Sequence, residues 1–166
     1  MKRYLVKRFG FRRTLKFGGN DHKTKFKTKE MLMITSLRFG RPVEAQAVVQ
    51  NLQLGLDPTD DEWHNLDSLF DSDRLDWADE AVFMTDKDGT VLALGLICRP
   101  HPCVVSYYTL PSHRCKGYGY ALLRACIRRI IEVSPHGTIL IESSNKTVDN
   151  HIALLPDEYR RMLHVR

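Results

Sequence analysis

Hydrophobic positions change period several times along the chain, and each change marks an element. Between 31 and 39 they alternate in part, which predicts a strand. Pro42 suits a first helical turn; Ala45, Val48, Val49 and Leu52 then share one face, and Gly55 ends the run. Asp57-Pro58 breaks the chain. Thr59-x-x-Glu62 has the form of a capping box, followed by Trp63, Leu66 and Phe70 at helical spacing. Strands are expected at 81–85 and 90–98, joined by the turn sequence Asp86-Lys87-Asp88-Gly89. A further strand, 103–110, is rich in β-branched and aromatic residues and is bounded by Pro102 and Pro111. The following helix carries Leu122, Leu123, Cys126, Ile127, Ile130 and Ile131 on one face, with Arg124, Arg128 and Arg129 largely opposite. A buried-type strand is expected at 138–143, and 148–155 and 156–163 read as short helical pieces.

The segment between strand 103–110 and the long helix carries the most chemical information. Arg114, Gly117 and Gly119 form the pattern R-x-x-G-x-G, with Lys116 inside it. Glycines at this place let backbone N–H groups approach a ligand at a helix N-terminus, where the helix dipole favours anions. Arg114 and Lys116 add positive charge at the same mouth, so the loop suits a pyrophosphate. Neither the dinucleotide-binding G-x-G-x-x-G nor the P-loop pattern is present.

On these residues the chain resembles the GNAT superfamily of acyl-CoA-dependent N-acyltransferases, whose pyrophosphate loop has the form (Q/R)-x-x-G-x-(G/A). The resemblance extends through roughly 80–155. It implies an α/β (α+β) fold with a mixed, mainly antiparallel sheet flanked by helices, and acetyl-CoA as the cosubstrate. It also implies that the fourth and fifth strands splay apart to admit the pantetheine arm. Carried over, Thr109 and Leu110 hold the pantetheine, while Arg114, Cys115, Lys116, Gly117, Tyr118, Gly119 and Tyr120 surround the pyrophosphate. Asn150 lies on the helix that follows and joins this cofactor set.

Acetyl transfer to an amine requires a neutral amine, a polarised thioester carbonyl and a proton for the departing thiolate. The resemblance gives the second task to the backbone N–H near Leu110. Glu142, at the end of strand 138–143, is the carboxylate best placed to be the base, with an outward-facing strand residue as the alternative. Many family members carry N-x-x-A-x-x-x-Y on the last helix, the tyrosine serving as acid. Asn150 and Ala153 fit, but Asp157 stands at the tyrosine position and Tyr159 is two residues late. Tyr159 is therefore the candidate acid, with Tyr107, Tyr108 and His113 as further candidates.

The 166 residues, 43% of them hydrophobic, form one domain able to bury a core. Cys98, Cys103, Cys115 and Cys126 show no paired metal-ligand spacing and suit reduced thiols, and no membrane-spanning run is present, so a cytoplasmic location is expected. Charge divides the chain. Residues 1–30 carry a net +9 and residues 31–166 a net −4. The division separates a basic N-terminal segment, 1–30, from residues 31–166, which the resemblance makes an acyltransferase domain. The basic segment could engage nucleic acid or an acidic partner, with a solvated arm as the alternative. The acceptor is a small-molecule or protein amine. A family member without chemistry, serving as a binding or virion-type structural protein, is the alternative function. Few residues follow the last helical piece, so the sheet is expected to lack its final strands. A hairpin at 3–17 would supply them and cover the apolar edge of the fifth strand.

Overall fold

The computed structural model describes residues 36–142 and 145–166. The elements, in chain order, begin with β1 (Ser36–Gly40), α1 (Pro42–Gln53), α2 (Asp61–Leu69) and α3 (Ser72–Trp77). The antiparallel strands β2 (Glu80–Thr85), β3 (Val91–Cys98) and β4 (Cys103–Thr109) follow, then α4 (Tyr118–Val133). β5 (Ile139–Ile141), α5 (Lys146–Ala153), α6 (Asp157–Arg160) and β6 (Leu163–Val165) close the chain. Sheet order follows chain order, with β1 to β4 antiparallel and β5 and β6 added in parallel. This is the mixed, mainly antiparallel architecture expected from the sequence.

Alternation in β2 explains the layering. Val82 and Met84 face α4, where Leu122, Leu123, Cys126, Ile127 and Ile130 are buried. Ala81 and Phe83 face the other layer, packing with Ala45 and Val49 of α1, Leu66 of α2 and Phe70 just after it. With both faces covered, every residue of β2 is buried.

One irregularity in β4 shapes everything downstream. Leu96 pairs with Ser106 while the next residue, Ile97, pairs with Val104, so Val105 is an extra residue in the strand. A bulge of this kind bends its strand and disrupts the ladder locally. Arg74 Nη1, from α3, donates to the Val105 carbonyl at 2.9 Å. Beyond the bulge β4 leaves its neighbour: β5 pairs only with Cys103 and Val104.

Several expectations change. Thr59 does not cap α2; its amide and hydroxyl donate to Asp57 Oδ1 at 2.8 and 2.7 Å, and Asp60 accepts from the Glu62 amide instead. α3 has no counterpart in the sequence reading; Asp71 opens it by accepting from the Arg74 amide at 2.8 Å. The strand expected at 138–143 is shorter, β5 ending at Ile141, with Ser143 outside the described residues. The piece at 156–163 is helical only at Asp157–Arg160, and Leu163 belongs to β6. β6 runs beside β5, with the Ile139 amide donating to the Met162 carbonyl at 2.7 Å and the Arg166 amide to Ile141 at 3.0 Å. The edge of β5 is thus covered by residues after α6, which removes the reason for placing a hairpin there. Residues 3–17, the basic segment 1–30 and the start of the strand expected at 31–39 lie outside the described residues. Among the described residues no helix is long and apolar enough to cross a membrane.

Candidate functional site

Chain direction reverses between β4 and α4 through a 3-10 turn, Pro111–His113, followed by the R-x-x-G-x-G loop. Cys115 has φ 58° and Gly117 has φ 82°. A non-glycine residue in the left-handed region is uncommon and costs energy, and it marks a backbone held for a purpose. Left-handed residues within a turn are also the conformation in which successive N–H groups converge on an anion. Gly117 is the N-cap of the 16-residue α4. Its carbonyl receives the Ala121 amide at 3.0 Å, leaving the amides of Tyr118, Gly119 and Tyr120 without intrahelical acceptors.

The second glycine has a different cause. A Cβ on Gly119 would stand 2.8 Å from His151 Cε1 and 3.0 Å from Thr109 Oγ1. Glycine there lets α4 approach β4 and α5. Both glycines of the motif therefore answer to the protein's own geometry, and the loop they produce is a cradle at a helix N-terminus.

The β3–β4 ladder decides which amides face the splay. Leu110 N–H donates to Leu92 O at 3.1 Å, so it points toward β3 and away from β5. Pairs alternate along an antiparallel ladder, and with Leu94 opposite Tyr108, the backbone groups of Tyr107 and Thr109 point toward β5. The Leu110 amide is thus engaged by β3, and Tyr107 and Thr109 carry the β4 backbone groups that face β5.

A cleft of about 510 Å³ occupies this place, with Glu62, Thr109, Arg114, Cys115, Gly117 and Gly119 in its wall. Tyr107, Tyr118 and His151 also line it. An adjoining cleft of about 390 Å³ shares Tyr107 and Asn145 with the first and reaches Ser106, Arg74 and Glu142. Ser106 is 5% exposed, and its Oγ has no hydrogen-bond partner among the described residues.

Two side-chain groups organise the larger cleft. Tyr107 Oη lies 3.1 Å from His151 Nδ1, joining β4 to α5. Burial raises the Tyr107 phenol well above its usual range and lowers the His151 imidazole, so a protonated phenol beside a neutral ring is the stable arrangement. The second group centres on Glu62. Its Oε1 accepts from Tyr108 Oη and from Arg114 Nη2, each at 2.5 Å. Burial pushes the Glu62 carboxyl up, but the hydrogen bonds from Arg114 and Tyr108 outweigh it and hold the group below the usual carboxylate range. Arg114 Nε also donates to the Thr109 carbonyl at 3.1 Å.

The other expected site residues are dispersed. Lys116 is exposed and donates to the Ser112 carbonyl at 2.8 Å. Tyr120 Oη donates to Leu154 O at 3.0 Å, tying α4 to the end of α5. Asn150 is exposed on α5. Glu142 lines the smaller cleft, with its side chain 68% exposed and an oxygen 3.3 Å from Arg74 Nη2. Tyr159 packs against the α4-side core and lines none of the clefts described. Sequence reasoning passed over Glu62, Ser106 and His151 as site residues. Glu62 carried a signal, but that signal matched a helix cap.

No curated relative matches the chain. Residues 50–154, more than half of it and including β4, the loop and α4, match the family described as the Acetyltransferase (GNAT) family. With its mixed sheet, its splayed fourth and fifth strands and its glycine loop at the start of α4, the chain belongs to the GNAT acetyltransferase family.

Proposed function

We propose that the protein is an N-acetyltransferase that moves an acetyl group from acetyl-CoA to a primary amine. The observation that supports this most is the left-handed pair Cys115 and Gly117 at the start of α4, beside a β4 edge turned toward the splay. These residues fit the cosubstrate's two polar parts. The first amides of α4, aided by Lys116, suit the pyrophosphate, and the backbone of Tyr107 and Thr109 suits an amide-bearing arm. When bound, acetyl-CoA supplies an activated acyl thioester and a thiolate leaving group.

The chain's own residues would manage protons. Tyr107 Oη holds a proton at neutral pH because burial disfavours the phenolate, and His151 Nδ1 orients it. It takes the role that the sequence reserved for Tyr159. Glu142 remains a candidate proton acceptor at the smaller cleft.

Binding and turnover are separable tests. Acetyl-CoA should raise the melting temperature in a concentration-dependent manner, as a ligand selective for the native state does. Thiol release in the presence of a panel of primary amines should report transfer. Lys116→Ala should weaken CoA about tenfold if a charge-assisted contact is lost. No thermal shift at millimolar acetyl-CoA would overturn the reading; a shift without thiol release would leave a binding protein.

A further inference from the structure

Arg114, the first residue of the loop motif, is already occupied. Its Nη2 is held by Glu62 from α2, at the oxygen that also accepts from Tyr108. The contact involves one oxygen and one guanidinium nitrogen, with the Arg114 side chain 45% exposed and that of Glu62 16% exposed. Arg114 is therefore the more exposed member, held besides by its Nε bond to the Thr109 carbonyl at 3.1 Å and by its place 5.4 Å over the Tyr108 ring, and the carboxylate is the more buried member in the cleft wall. Both line the cavity that contains Gly117 and Gly119.

We infer that Glu62 is an internal competitor for Arg114, which an anion bound in the loop draws off, freeing the Glu62 carboxylate into the cleft where the acceptor amine must lose a proton. The inference rests on the proposed binding of CoA in that loop. Its physical basis is a change of partner. With Arg114 attached, Glu62 is paired; once Arg114 turns to a phosphate, the mostly buried carboxylate keeps only Tyr108 as donor, and burial then favours its protonated form. An ammonium group in the cleft could supply that proton: an N–H bond breaks, nitrogen keeps the electron pair, and an O–H bond forms on Glu62. Cofactor binding would in this way prepare the base before an amine is used.

Other titratable groups line the same cleft: His113, Arg114 and Cys115 of the loop, Tyr107 and Tyr108 of β4, Tyr118 of α4 and His151 of α5. Proton uptake by the histidines is separated from that of Glu62 by comparing variants. Calorimetric titration of the full chain with CoA near pH 5.5, in buffers of differing ionisation enthalpy, measures affinity and protons bound together. Wild type should take up a measurable fraction of a proton beyond that taken up by Glu62→Gln. Glu62→Gln should bind CoA about tenfold more tightly, since the competing state is removed. Arg114→Gln should bind more weakly and lose the extra proton uptake, because Glu62 is already released; it decides the matter even if Glu62→Gln folds poorly. Absence of CoA binding to wild type would overturn the cofactor reading itself. Normal CoA binding, with the same proton count in wild type and both variants, would overturn the competition alone.

Discussion

Two arginine–glutamate pairs, built from the same chemistry, serve opposite ends in this protein. Arg129 of α4 meets Glu80 of β2 through two parallel bonds, Nε to Oε2 at 2.7 Å and Nη2 to Oε1 at 2.9 Å. Glu132 adds a third carboxylate oxygen at 2.9 Å, and the guanidinium stacks 4.7 Å above the Phe39 ring. Arg114 and Glu62 share one bond, and the oxygen involved is divided with Tyr108. A bidentate fork on several partners fixes geometry. A single shared oxygen beside a cavity can be exchanged. The first pair fastens the long helix to the sheet at the end remote from the cradle, and the second stands at the cradle itself.

The comparison breaks most sharply on stability. Glu80→Ala should destabilise the fold by about 2 kcal/mol, because it takes the fork from a guanidinium that is 27% exposed; the figure is kept below that of a fully buried pair, since Arg129 retains that exposure and Glu132. Glu62→Ala should cost about 1 kcal/mol, since Arg114 can turn to water and only the Tyr108 hydroxyl loses its acceptor. Denaturant midpoints of the two variants measure the difference. Equal losses would mean that both pairs are structural.

The sequence disclosed elements whose patterns are long. β2, β3, β4 and α4 carry enough apolar positions for a period to emerge, and the glycine loop stands out because it joins two such elements. β6 has three residues and α3 six, too few for a pattern to exceed chance. The bulge at Val105 was silent, because any residue can be the extra one and the register belongs to two strands at once. Glu62 was misread for a local reason: Thr59-x-x-Glu62 satisfied a capping rule, while the folded chain used Asp60 and left the Glu62 side chain for tertiary partners. Asn150 and Ala153 fit a family pattern whose tyrosine position holds Asp157, and Pro156 ends the helical geometry there and turns the chain toward β6.

A second prediction separates residues at the cradle from those that support it. Tyr107→Phe should lower kcat about 10²-fold, the loss expected of an absent proton donor, with little change in CoA affinity. Tyr159→Phe should leave kcat within about threefold of wild type, because its ring packs against the core and lines neither cleft of the site. Steady-state kinetics on the same amine compare the two. A larger kcat loss in Tyr159→Phe than in Tyr107→Phe would return the acid role to the last helix.

The smallest effect lies in the pH dependence of stability, and it sharpens the contrast between the pairs. Burial lowers the His151 pKa from 6.5, so the unfolded chain binds that proton more readily than the native one. Its contribution is complete above pH 6.5 and is lost as pH falls through the lowered native value. Glu62 follows the same sign at lower pH: its native carboxyl lies below the ordinary 4.5, so its contribution is complete above 4.5 and fades on further acidification. Thermal melts should therefore show two successive losses, the first flattened in His151→Gln and the second in Glu62→Gln. Saturating CoA discriminates further. If Arg114 leaves Glu62 on binding, the carboxyl is no longer held low, and the acid-side loss assigned to Glu62 should shrink or reverse in the complex. An unchanged acid profile in the complex would show that Arg114 and Glu62 stay together, as Arg129 and Glu80 do.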